Sequence, residues 1–109
     1  MRVEILYFDG CPNHHGAREL VERVSSELGI APEIRMVEVA DLEAAERLRF
    51  LGSPTVRVDG RDVEPGAADR DQYMLACRVY RLPTGISGVP DERWIRDALS
   101  RSQPSGTAP

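Results

Sequence analysis

Apolar and polar positions along the chain follow two different periods, which predict alternating strands and helices in its first half. Val3–Phe8 is a short apolar run rich in β-forming residues and predicts a buried strand. Over Pro12–Leu28 the apolar residues recur at helical spacing with charged residues between them, and Gly29 is a natural C-cap. Glu33–Val39 carries apolar residues on both faces, as expected of a covered parallel strand.

A second helix is predicted over about Leu42–Phe50, with Asp41 as its N-cap. Gly52 is expected to end the run. The residues expected on the inner side of this helix are Leu42, Ala45, Leu48 and Leu51.

A hairpin and a terminal helix are predicted for the second half of the chain. Thr55–Val58 and Arg61–Val63 are joined by Asp59-Gly60, a strong type I′ turn signal, so they are expected to pair antiparallel. The last helix begins at Pro90-Asp91. Its apolar stripe consists of Trp94, Ile95, Ala98 and Leu99. The segment between hairpin and helix fits either a strand, because Tyr73, Leu75, Cys77 and Val79 alternate, or a helix over Ala67–Ala76.

This order of elements predicts an α/β domain with the sequence β-α-β-α-β-β-α. Strands that alternate with helices favour parallel pairing through right-handed crossovers, and the hairpin adds an antiparallel edge. With 109 residues, 41% of them apolar, the chain fits one small domain. We expect that domain to cover residues 1–100, with an insertion at about 66–90 before the last helix and a disordered tail at 101–109.

The charge pattern argues against nucleic acid and membrane partners. All 14 basic residues are Arg, and with 18 acidic residues the net charge is −4. The two signs are interspersed, whereas a duplex-binding protein normally shows a basic stripe. No apolar run approaches the ~20 residues of a membrane span, and the N-terminus lacks the pattern of a secretory leader. We therefore expect a cytoplasmic protein.

The two cysteines, Cys11 and Cys77, are the clearest candidates for chemistry. A single cysteine pair without a leader fits a secreted, disulfide-stapled domain poorly. Cys11 follows the first strand and precedes Pro12, which suits the first turn of a helix. Free N–H groups and the helix dipole favour an anion there, so Cys11 is predicted to act as a thiolate nucleophile or a metal ligand.

A second candidate feature is the turn Gly52-Ser53-Pro54-Thr55. A proline that closes a tight turn just before a strand is a candidate for a cis peptide bond. In the predicted layout this turn faces the Cys11 loop across the ends of the parallel strands. Ser53, Pro54 and Thr55 are therefore predicted to contact the substrate.

The segment Leu6–His14 (LYFDGCPNH), followed by Gly52–Thr55 (GSPT), resembles the thioredoxin-like superfamily, and more closely a group of small bacterial thioredoxin-like proteins. The resemblance extends to about Leu99 and implies a three-layer α/β/α fold. Some members of that group carry selenocysteine or a complete Cys-x-x-Cys in the loop, and some are labelled alkylmercury lyases. Here His14 stands where thioredoxins have their second cysteine, so this loop cannot form the usual disulfide.

Three hypotheses follow. In the first, Cys11 is the nucleophile of thiol–disulfide exchange with a protein or small-molecule partner, without a cofactor. The mixed disulfide would be resolved by an outside thiol or by Cys77, whose ionisation the neighbouring Arg78 would favour. His14, one turn further on, would stabilise the thiolate or carry the proton.

In the second hypothesis, Cys11, His14 and Cys77, with His15 as a further candidate, bind zinc, copper or mercury, since thiolate and imidazole suit these ions. Organomercurial chemistry would additionally use Asp9 as the acid. In the third, the domain is a non-catalytic module that holds an extended peptide by strand-like pairing between Cys11 and Pro54.

Overall fold

The computed structural model describes residues 1–102, in which a mixed four-stranded sheet forms the centre. Strand β1 (Arg2–Tyr7) pairs parallel with β2 (Glu33–Glu38) and antiparallel with β3 (Thr55–Val58). Strand β4 (Arg61–Asp62) follows β3, so the order is β2-β1-β3-β4. The predicted mixed α/β class is confirmed.

Helix α1 (His14–Leu28) connects the two parallel strands. It begins two residues later than predicted, because Pro12 and Asn13 form a turn before it. Gly29 is the predicted C-cap: its φ of 71° is left-handed, and its N–H donates to the carbonyls of Ser25 and Ser26. The start of α1 places Cys11 just outside the helix.

Helix α2 (Leu42–Arg47) is shorter than predicted. The Asp41 carboxylate accepts a hydrogen bond from the Ala44 N–H at 2.8 Å, which confirms the N-cap. Arg49 has a left-handed φ of 56°, which is incompatible with continuation to Phe50. The helix buries Ala44 and Ala45, and the prediction for Leu42 was wrong because that side chain, at the first turn, is 61% exposed.

Apolar residues of β1 point to opposite faces of the sheet and form two cores. Ile5 packs with side chains of α1 and of α3 (Glu92–Ser102), whereas Leu6, its neighbour, packs with Ala44 and Ala45 of α2. The sheet therefore separates α1 and α3 from α2. Strand β2 is an edge strand whose side chains are exposed or half-buried, so its predicted full cover was wrong.

The predicted hairpin is confirmed, and it needs positive φ at both turn residues. Asp59 has a φ of 50° and Gly60 a φ of 86°, as a type I′ turn requires. After β4 the chain forms a 3₁₀ turn at Ala67–Asp69, then an irregular stretch, and then a small hairpin. The hairpin consists of β5 (Tyr80–Leu82) and β6 (Gly85–Ser87).

The terminal helix buries its predicted stripe residues Ile95, Ala98 and Leu99. It also includes Arg101 and Ser102, which were wrongly predicted as the start of the tail. The remainder of the predicted tail, 103–109, lies outside the described residues. Among residues 1–102 no helix combines the length and apolar character needed to cross a membrane.

Charged side chains join α1 to α3 on the surface. Glu92 accepts from Arg23 at 2.8 Å and from Arg96 at 2.7 Å. Hydrogen bonds from these two guanidinium groups lower the pKa of Glu92 from 4.5 to about 2. A carboxylate with a lowered folded-state pKa stabilises the fold above its ordinary pKa, and this contribution is lost as the pH falls towards the folded-state value.

We expect Glu92→Gln to lower the melting temperature at neutral pH, with the difference from wild type shrinking as the pH falls from 4.5 to about 2. Thermal melts across this pH range measure the effect. Glu19→Gln is the control, because Glu19 is exposed on α1 and forms no ion pair within residues 1–102. A Glu92→Gln difference that stays constant with pH would contradict the prediction.

Candidate redox site

Cys11 lies in the loop between β1 and α1, where its thiol is fully buried. Its N–H donates to the carbonyl of Phe8 at 3.1 Å, which closes the turn after the strand. Its side chain is 0% exposed, and Sγ donates to the carbonyl oxygen of Ser53 at 3.5 Å. The loop and the Ser53 turn therefore meet as predicted, but the thiol is not open to solvent.

Ser53 also holds the second cysteine beside the first. The Ser53–Pro54 peptide bond is cis, as expected. The Ser53 N–H donates to the Ala76 carbonyl at 2.8 Å, and the Ser53 carbonyl accepts from the Arg78 N–H at 2.7 Å. These two bonds form a parallel β-bridge between Ser53 and Cys77. We call residues 76–78 the docked segment.

The two thiols interact in this arrangement. The proximity of the Cys11 thiol raises the pKa of Cys77 above its ordinary value, and partial desolvation raises it further. Cys77 is exposed, whereas Cys11 is buried. Tertiary structure thus produces a pair of neighbouring cysteines with one accessible and one inaccessible sulfur.

Arg78 anchors the docked segment. Its side chain is 1% exposed, and its guanidinium donates to Asp62 at 2.8 Å and to Glu64 at 2.6 Å. A third hydrogen bond, at 3.0 Å, goes to Oγ1 of Thr55. The expectation that Arg78 favours ionisation of Cys77 was wrong, because two carboxylates bind the guanidinium and the pKa of Cys77 is raised rather than lowered.

Tyr80 provides a second anchor on the same side of the turn. Its hydroxyl donates to the carbonyl of Pro54 at 2.5 Å, its ring is fully buried, and burial raises its pKa. The Arg78 guanidinium lies 4.5 Å from the centre of this ring. Sequence reasoning missed both anchors. The alternation around Cys77 was the available signal, since in an extended segment it places Arg78 and Tyr80 on the face opposite Cys77.

His14 contacts the loop backbone instead of the thiol. Its Nδ1 lies 2.7 Å from the carbonyl oxygen of Cys11, and its ring stacks on Tyr7 with 4.3 Å between ring centres. These contacts hold the imidazole over the strand end. His14 therefore helps to fix the Cys11 loop, while its predicted contact with the sulfur is not formed in this structure.

The predicted metal-ligand set is not assembled. Within the described part of the chain, no three side chains of His, Cys, Asp or Glu are close enough to hold a metal ion together. Cys11, His14 and Cys77 are included in this finding. His15 is exposed, and its ring lies against that of His14 at 4.1 Å between centres.

The residues predicted to bind substrate instead contact another segment of the same protein. Ser53, Pro54 and Thr55 are buried. Both backbone polar groups of Ser53 are paired with the docked segment, and the Thr55 hydroxyl donates to the Gly52 carbonyl at 2.7 Å. An outside peptide could pair with Ser53 only after displacing this segment.

A shallow groove of about 300 Å³ opens beside Cys77. It is lined by Asn13 of the Cys11 loop, by residues next to Cys77, and by the second strand of the small hairpin. Gly88 lies directly against the Asn13 side chain, with no room for a Cβ atom. Residues 86–88 therefore form one wall of the site.

No family model, no curated protein and no solved structure matches this chain. Its function is therefore inferred from its own residues and their geometry.

Proposed function

We propose that this protein carries out thiol–disulfide exchange, with Cys11 and Cys77 as its redox pair, on a thioredoxin-like fold. The observation that carries the proposal is that both cysteines meet at Ser53: Cys77 is paired with Ser53 in a parallel β-bridge, and Sγ of Cys11 donates to the Ser53 carbonyl oxygen. Disulfide formation requires neighbouring cysteines, with Cα atoms within ~7 Å. A functional role is further supported by their unequal exposure, because one sulfur is accessible to a partner and the other is protected.

The reaction needs only a thiol or disulfide partner. An outside disulfide takes two electrons and two protons from the reduced pair, which leaves a Cys11–Cys77 disulfide and two outside thiols. Outside thiols reverse the reaction. The partner class is a protein or small-molecule disulfide, and cytoplasmic exchange remains a prediction from the sequence.

The thioredoxin-like assignment is supported by the order of elements and the position of the loops. The Cys11 loop follows the central strand, and the turn with the cis bond before Pro54 faces it across 3.5 Å between Sγ and the Ser53 carbonyl oxygen. This protein differs from thioredoxins in the origin of its second thiol. It comes from the insertion before the last helix, and not from the fourth position of the loop motif, which is His14.

The test is oxidation of the purified protein in glutathione buffers of graded redox potential. We expect the wild type to lose the mass of two hydrogen atoms and both free thiols, with a peptide map that links Cys11 to Cys77. Cys11→Ser and Cys77→Ser should each abolish this product. If both thiols of the wild type stay free while a stoichiometric metal purifies with it and is lost in Cys11→Ser, the redox proposal is wrong.

A further inference from the structure

We infer that the mixed disulfide with the outside partner forms on Cys77, and that Cys11 is the internal resolving thiol. This inference rests on the proposed exchange function and reverses the roles expected from the sequence. It also specifies the partner, which is an outside disulfide that carries an uncharged, apolar group next to its sulfur–sulfur bond.

Access to the two sulfurs carries the inference. Thiol–disulfide exchange needs the attacking sulfur in line with the sulfur–sulfur bond of its partner, so both sulfurs must be reachable. Cys11 is 0% exposed and covered by the Ser53 turn, whereas Cys77 is exposed and lines the groove. An outside disulfide can therefore reach Cys77 without any movement of the backbone.

The docked segment also blocks the alternative approach. A partner peptide that came to Cys11 along Ser53 would need the Ser53 N–H and carbonyl for strand-like pairing. Ala76 and Arg78 already use both groups, at 2.8 Å and 2.7 Å. The ion pairs of Arg78 with Asp62 and Glu64 hold that pairing in place.

The chemistry balances in both directions. In oxidation of the protein, Cys77 loses its proton and its thiolate attacks the outside disulfide, which forms a mixed disulfide and releases one outside thiolate that takes up a proton. Cys11 then loses its proton, attacks Sγ of Cys77 and releases the second outside thiol. In reduction, an outside thiolate attacks the exposed Sγ of Cys77, and Cys11 leaves as a thiolate and takes up a proton. A second outside thiolate then attacks the outside sulfur of the mixed disulfide, which releases Cys77 to take up a proton and forms the outside disulfide.

The walls of the groove define the chemical class of the partner. Val79 is 59% and Ile86 is 75% exposed, and both lie in the groove beside Cys77 with the uncharged Asn13, Ser87 and Gly88. The one charged residue in the groove wall, Arg78, has its guanidinium bound by two carboxylates. An apolar group on the outside sulfur would cover Val79 and Ile86, whereas a charged group would find no counter-charge there.

The first experiment compares the single-cysteine variants with dithiodipyridine, an uncharged aromatic disulfide whose released thione is coloured. We expect Cys77 in Cys11→Ser to react at once, and Cys11 in Cys77→Ser to react on the order of 100-fold more slowly, limited by local opening. In denaturant the two rates should become similar. Equal rates in the native proteins would overturn the inference while leaving the redox pair intact, whereas failure of the wild type to form its internal disulfide would overturn the proposed function and with it the resolving role of Cys11.

The second experiment tests the groove in the Cys11→Ser background. For each variant, the rate of Cys77 with dithiodipyridine is divided by its rate with the charged glutathione disulfide. We expect Ile86→Ser to lower this ratio several-fold, because the apolar reagent loses a contact in the groove. Leu42→Ser is the control, since Leu42 is similarly exposed, at 61%, but does not line the groove. An unchanged ratio in Ile86→Ser would overturn the assignment of an apolar partner.

Discussion

Replacing Arg78 with alanine is expected to lower the free energy of unfolding by about 3 to 5 kcal/mol, since this is the usual cost of removing one partner from a buried ion pair. The change leaves Asp62 without its cation and Glu64 with only the exposed Arg70, and it removes a side chain that is 1% exposed. The docked segment would then be held mainly by backbone bonds and Tyr80. We therefore also expect slower formation of the Cys11–Cys77 disulfide.

Denaturant unfolding measures the first effect, and the rate of thiol loss in a glutathione buffer measures the second. Arg81→Ala is the matched control, because Arg81 is exposed on β5 and forms no ion pair within residues 1–102; its effect should stay within about 0.5 kcal/mol. Arg78→Lys should recover little, because an ammonium group cannot reproduce the planar fork that contacts both carboxylates. Wild-type stability and oxidation rate in Arg78→Ala would show that Arg78 does not position Cys77.

Replacing Gly52 with alanine is the second substitution with a large expected effect. Gly52 has a φ of 119°, and a Cβ atom there would lie 2.9 Å from Cβ and 3.1 Å from Cα of Arg78. The backbone conformation costs an alanine about 1 to 3 kcal/mol, and overpacking costs about 1 to 3 kcal/mol more. Because the clash is with the backbone of the docked segment, we expect that segment to move away from Ser53 and disulfide formation to slow.

Gly85→Ala separates the cost of the backbone conformation from the cost of the steric clash. Gly85 has a similar φ of 129°, but nothing lies within 4 Å of its added Cβ. It should therefore show the conformational cost alone, of about 1 to 3 kcal/mol, and oxidise at the wild-type rate. Equal destabilisation and equal oxidation rates in the two variants would mean that the close approach of Arg78 to Gly52 is unimportant.

Elements that depend on nearby residues were predictable from the sequence. Helix α1 and its cap at Gly29, the hairpin turn at Asp59-Gly60, and the buried stripe of α3 all follow from spacing and turn chemistry within a few positions. The end of α2 was predicted less well. Its inner face depends on contacts with Leu6 and Val39 of other elements, which buried Ala44 and left Leu42 in solvent.

In the candidate site, too, some features follow from nearby residues and others from distant contacts. The sequence alone determined that Cys11 lies between a strand and a helix, because strand, loop and helix signals are local. The predicted layout of the strands placed it opposite Ser53 and Pro54. Only the tertiary structure decided that Cys11 is buried and that Cys77 lies beside it and is exposed. The physical reason is that the docked segment has almost no regular structure of its own. Long-range contacts of Arg78 with Asp62, Glu64 and the Ser53 backbone determine its position.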